Sequence, residues 1–167
     1  RCIGDGRVLM RPALDAELVA RLRALDVDLL VSWYWTTRLP VEVLSVARLG
    51  AIGAHPSLLP RHRGPDPTTW AILAGDQESG VTVHRLAEAY DTGAILAQRR
   101  VTIDARWNAY DLARALDRPG LALLREVVAG AARGVLPREI AQDEAQATLA
   151  PFLEEDDLWI AWDSPTE

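Results

Sequence analysis

DAELVARLRALDVDLLVSWYW, residues 15–35, changes period halfway along. In its first part Leu18, Val19, Leu22 and Leu25 recur at helical spacing behind Pro12 and Asp15, which predicts a helix over about 14–25. DLLVSWYW, at 28–35, is short, apolar and rich in strand-forming residues, with charge before it and Thr-Thr-Arg after it. That is the pattern of a buried strand in an α/β sheet. The alternation continues downstream. LPVEVLSVA predicts a short helix, GAIGAH at 50–55 a second strand, and DPTTWAILAGD a helix that starts near Pro67 and stops at Gly75. GVTVHRL and AILAQRRVTI read as two strands joined by AEAYDTG, with turn chemistry at Asp91 and Gly93. From Asn108, a suitable N-cap, helical spacing runs on either side of a break at Pro119-Gly120. The order predicts an α/β domain on an open, mostly parallel sheet with helices on both faces.

At 167 residues and 49% apolar content, one domain with a substantial core is expected. Cys2 is the single cysteine, which excludes an internal disulfide framework and a thiolate metal cage and suits a reducing, cytoplasmic compartment. No run of eighteen apolar residues and no secretory leader is visible, so neither membrane nor export is expected. The chain opens on Arg1 rather than methionine, which points to a fragment. Charge divides it in two: residues 1–136 carry 17 Arg against 15 acids, whereas residues 137–167 carry one Arg against nine. The first stretch is expected to be the catalytic core and the second an acidic extension or linker, with EEDD at 154–157 a solvated loop. A net charge of −6 with no basic stripe argues against a nucleic-acid partner.

Chemistry concentrates in GAHPSLLPRHRGP, residues 53–65. His55 closes a short apolar strand just before Pro56, at the carboxyl edge where open α/β sheets collect ligands. Asp91 lies in the loop between the two later strands, and a carboxylate beside an imidazole would raise its pKa and fix its tautomer. Taken alone, Asp91 is more readily a turn residue. His84, mid-strand, and His62, between two arginines, are weaker candidates. Three histidines without short carboxylate spacing make no metal site, and no glycine-rich phosphate loop occurs, so neither metal nor nucleotide is expected.

Together, HPSLLPRHRGPDPTTWAILAGDQESGVTVHRL at 55–86 and YDTGAILAQ at 90–98 closely resemble the formyltransferases that use 10-formyltetrahydrofolate. That family includes enzymes acting on methionyl-tRNA, glycinamide ribonucleotide and sugar amines, and formyltetrahydrofolate hydrolases. The resemblance runs from about Arg7 to Asp163 and implies a Rossmann-like formyltransferase core lacking the family's first strands. In the family pattern Asn-x-His-Pro-Ser with a later Asp-Thr-Gly, the asparagine and histidine face the formyl carbon and the aspartate supports them. His55 and Asp91 match, as general acid/base and its support. The resemblance also implies a pterin slot lined around Thr37, Leu39, Glu88, Ala89 and Asp91, and a sharp turn at Leu59-Pro60 with a cis peptide. Gly53 stands where the family has asparagine. Either Ser57 or a main-chain N–H replaces that donor, or transfer is weak. The implied function is formyl transfer from 10-formyltetrahydrofolate to a small-molecule amine, without a metal. The alternatives are a hydrolase, with water in the space left at Gly53, and a folate-binding, non-catalytic domain.

Overall fold

The computed structural model describes residues 12–35 and 37–154. Arg1, Cys2 and the stretch 155–167, which holds most of EEDD, lie outside the described residues. In chain order the elements are α1 (Ala16–Ala24), β1 (Leu30–Ser32), α2 (Val41–Leu44), β2 (Ala51–His55), α3 (Pro67–Leu73), β3 (Glu78–Arg85), β4 (Ile95–Thr102) and α4 (Ala109–Ala132). Asp15 caps α1 by accepting from the Leu18 N–H at 3.0 Å, and the helix buries Leu18 and Val19. Leu25, expected on the same stripe, falls on the C-cap and is exposed.

The expected strand at 28–35 is shorter, because Tyr34 adopts φ +54 and carries the chain out of the ladder. It is also only half-buried, since β1 is an edge strand among the described residues. The sheet runs β1-β2-β3-β4. β1 and β2 are parallel, while β2–β3 and β3–β4 are antiparallel. The open α/β sheet is present, but mostly parallel pairing gives way among the described strands to a mixed sheet. A short loop joins β3 to β4, and so short a connection permits only antiparallel return.

Packing is also less symmetrical than helices on both faces would give. Ile52, Val83 and Leu96 meet Leu123, Leu124 and Val127 of α4, and Val81 joins Ala71, Ile103, Leu112 and Leu116 beside α3. On the opposite face, where alternation puts Thr82 and Gln98, a loop does the covering. Thr82 Oγ1 donates to the Ser57 carbonyl at 2.7 Å and accepts from the Leu59 N–H at 3.1 Å. The Gln98 amide donates to the Leu59 carbonyl at 2.8 Å, and the Leu59-Pro60 bond is cis, as expected.

Sequence reasoning split α4 at Pro119-Gly120, yet it is one helix of 24 residues. Asn108 and Asp111 form a reciprocal capping box at its start. Pro119 costs a backbone hydrogen bond, but the stripe Leu112, Leu116, Gly120, Leu123, Leu124, Val127 stays buried only if the helix runs through. Gly120 permits the close approach: a Cβ there would meet Trp33 and Val81 at 3.2 Å. Truncating the fully buried Leu112 to Ala should cost about 2–5 kcal/mol. Urea unfolding checks this as a lower midpoint at unchanged m-value.

The described part of the expected extension, residues 137–154, returns to the core instead of leaving it. Ile140 and Ile95 exchange main-chain bonds at 2.8 and 2.9 Å, and Leu149 bridges alongside Arg63. Its acids find arginines of the core, Glu139 on Arg85 at the end of β3 and Glu144 on Arg63, each at 2.8 Å. A boundary drawn from charge alone therefore marks no structural division within 137–154. Among the described residues no helix is long and apolar enough to cross a membrane.

Candidate active site

The register of β2 against β3 sets Gly53 opposite His84 and His55 opposite Thr82. His55 is the last residue of β2, and Pro56 takes the chain into the covering loop. His55 Nε2 donates to the His62 carbonyl at 2.8 Å, so in the neutral ring Nδ1 is the free, basic nitrogen. That Nδ1 lies 3.5 Å from Asp91 Oδ2. The backbone at Asp91 adopts φ +56, and Oδ2 also accepts from the Gly64 N–H at 2.9 Å, which fixes the carboxylate beside the ring. His84, weighed as a weaker candidate, completes the group. Its Nδ1 donates to the Arg85 carbonyl at 2.8 Å, and its Nε2 stands 3.6 Å from Asp91 Oδ1. One carboxylate thus faces the basic nitrogens of two buried imidazoles, whose rings lie edge to face at 6.4 Å.

Burial pushes both rings below the ordinary histidine value of 6.5. For His55 it outweighs the upward pull of Asp91 and of the His62 carbonyl. For His84 it outweighs Asp91, with His55 adding a downward push. The expectation that Asp91 raises His55 is corrected in the balance: the carboxylate does act upward, but desolvation is larger. His55 is consequently neutral at pH 7. The sign for stability follows by linkage. Below pH 6.5 the unfolded chain binds protons that the folded histidines refuse, so stability is complete above 6.5 and is lost as pH falls. Urea midpoints should decline from about pH 6.5 downward, and more gently when His55 and His84 are both replaced by Gln. Asp76 acts in a separate window. Burial raises it, but bonds from Arg61 and His62 prevail and hold it below 3.8, so its contribution fades only in stronger acid.

A cavity of about 730 Å³ opens beside the cluster, within the range of small-ligand sites. Gly53, His55, Thr37, Leu39, Glu88, Ala89 and Asp91 all line it. Arg38 ties two of those loops together, donating to the Glu88 carbonyl at 2.8 Å and to its carboxylate at 3.0 Å. Ser57 is not part of the wall. Its fully buried hydroxyl donates to the Arg61 carbonyl at 2.6 Å, so it cannot replace the missing carboxamide. Gly53 does line the cavity, on a strand paired on both sides, but the space beside it is not open: a Cβ would meet Leu86 Cδ2 at 2.8 Å. Sequence reasoning missed Trp33, Tyr34 and Trp35, which leave β1 to line the cavity, and Gly120 and Phe152, which line it too. The signal was the unusual Trp-Tyr-Trp run, which reads as strand until the turn at Tyr34 is known. Among the described residues no group of three or more His, Cys, Asp or Glu could hold a metal ion.

The formyl transferase family pattern matches residues 7–128. A methionyl-tRNA formyltransferase of Synechococcus sp. (strain JA-3-3Ab) is 39% identical over 92% of this chain and 47% of its own length. One from Anaeromyxobacter sp. (strain K) is 43% identical over 90% and 48%. The chain spans about half the length of these curated relatives. Among solved structures, phosphoribosylglycinamide formyltransferase from Bacillus halodurans aligns with a TM-score of 0.61 at 28% identity, covering 69% of this chain and 61% of that one. HypX from Aquifex aeolicus, solved with tetrahydrofolic acid, aligns at 0.74 and 22% identity, covering 90% and 26%, and shares the fold.

Proposed function

Because this chain belongs to the formyl transferase family, we propose that it catalyses transfer of a formyl group from 10-formyltetrahydrofolate to a primary amine at the His55–Asp91–His84 cluster. The observation that carries the reading is Asp91 Oδ2 at 3.5 Å from the basic nitrogen of a neutral, buried His55 on the cavity wall. The acceptor nitrogen attacks the formyl carbon, forming a new C–N bond. His55 Nδ1 takes the proton that nitrogen sheds and returns it to N10 of the folate as the N10–formyl bond breaks. Between those steps the imidazolium is stabilised by Asp91 on one side and the His62 carbonyl on the other. The apolar and aromatic walls suit a flat pterin, with Thr37, Leu39, Glu88 and Ala89 offering the flanking loops.

For the acceptor, we propose methionyl-tRNA ahead of the small-molecule amine favoured by the acidic charge. Relatives at 39% and 43% identity carry that name, and a net charge read over about half their length is a weak argument against RNA. For the hydrolase reading, the space beside Gly53 is narrowed by the Leu86 tip, which would stand 2.8 Å from a Cβ there. Radiolabelled formyl donor, offered with charged initiator tRNA, with sugar and nucleotide amines, and with water alone, tests the assignment. Label on methionyl-tRNA is expected. Label on a small amine only would overturn the acceptor, free formate only would select the hydrolase, and binding without turnover would select a non-catalytic domain.

A further inference from the structure

His55, at the end of β2, and Asp91, in a loop, are 36 residues apart, and the returning segment 140–150 touches both the loop that follows His55 and the loop that holds Asp91. Gln142 makes most of that contact. Its Oε1 accepts from Arg63 Nε at 3.0 Å and Nη2 at 2.7 Å, on the loop that follows His55. Its Nε2 donates to the carbonyls of Asp91 and Gly93, each at 2.7 Å. Both ends of one amide are therefore used, one on each loop. Arg63 is itself buried, with its guanidinium also on the Glu144 carboxylate at 2.8 Å. Farther along the same segment, Thr148 Oγ1 accepts from the His62 N–H at 2.8 Å. His62 is the residue whose carbonyl receives the His55 Nε2 proton. It stands at φ +58, a conformation that needs tethers, and Asp76 supplies a second one on its ring at 2.7 Å.

We infer that Gln142 is a positioning residue of the site, setting the separation of His55 and Asp91 by joining the loop that follows His55 to the loop that holds Asp91, while Thr148 aims His55 through His62. This rests on the reading of His55 as the proton carrier. The hydrogen bonds go to the main chain of Asp91 itself and, through one intermediate, to the partner of His55, so slack in this segment reaches both members of the pair.

Gln142→Met keeps length and bulk while removing all four bonds, and Thr148→Val removes the hydroxyl at nearly constant volume. Gln146→Ala is the control, because among the described residues that side chain bonds only to Asp143, at 2.8 Å. The readouts are an NMR titration of the His55 ring, kcat and KM for formyl transfer, and urea midpoints. Gln142→Met is expected to lower the His55 titration as Asp91 recedes, and Thr148→Val to displace it. Both should reduce kcat by about 10- to 100-fold at nearly unchanged donor KM, the cost of a small misplacement. The control should change neither. Lower urea midpoints with the parent His55 titration and kcat would overturn the inference and leave the segment a structural brace. If Gln142→Met does not fold, Thr148→Val decides by the same criteria. A parent protein with no transfer activity would sink the functional reading, and the His55 titration would still decide this one.

Discussion

His55→Gln is expected to lower kcat for formyl transfer by about 10²- to 10⁴-fold, the usual worth of a positioned general acid/base, with donor affinity nearly unchanged. Glutamine suits the test because His55 is only 6% exposed and its Nε2 is committed to the His62 carbonyl. The amide can fill the space and keep that donor bond, but it has no nitrogen that accepts a proton near neutrality. In the parent protein the acid limb of kcat/KM should fall below pH 6.5, since burial holds the His55 pKa under that value and only the neutral ring can act as base. A variant that turns over within tenfold of the parent would mean that His84 or water carries the proton. Loss of donor binding without loss of kcat would make His55 a binding group.

The parts of the fold that follow local rules were legible in the sequence. Asn108 was readable as a cap because its side chain satisfies helix N–H groups within three residues. His55 and Asp91 were readable as a pair through the family resemblance, and the structure brings them together. What local rules could not deliver was set by tertiary partners. Pro119 reads as a break until the buried stripe on both sides of it is known to face one sheet. His84 looked undecided because strand alternation gives a face but not the occupant opposite it, and Asp91 arrives there from a loop at positive φ. Ser57 looked like a donor because a hydroxyl two residues past the histidine is close in sequence, yet the sharp turn hands it to Arg61. Residues 137–154 looked like a tail because their charge is lopsided, and charge does not reveal that Arg63 and Arg85 are waiting for it.

Gly53→Asn is expected to raise formyl transfer by about 10²- to 10³-fold in kcat, with folate affinity nearly unchanged. A carboxamide donor acts on negative charge that develops only in the transition state, so its worth appears in turnover and not in ground-state binding. The position can take a side chain on backbone grounds, because Gly53 is not among the residues at positive φ. It faces the same side of the sheet as His84, its ladder partner, and lines the cavity. The obstacle is Leu86, whose Cδ2 would stand 2.8 Å from the new Cβ, while Ser32 Cβ at 3.6 Å is an ordinary contact. The Leu86 tip is the far end of a flexible side chain, so a rotamer change can clear it. Pairing Gly53→Asn with Leu86→Ala separates the two effects: a gain only in the double variant identifies the leucine as the block. If neither gains while His55→Gln still abolishes turnover, the site draws its oxyanion donor from elsewhere. That donor would not be Ser57, whose proton is committed to the Arg61 carbonyl.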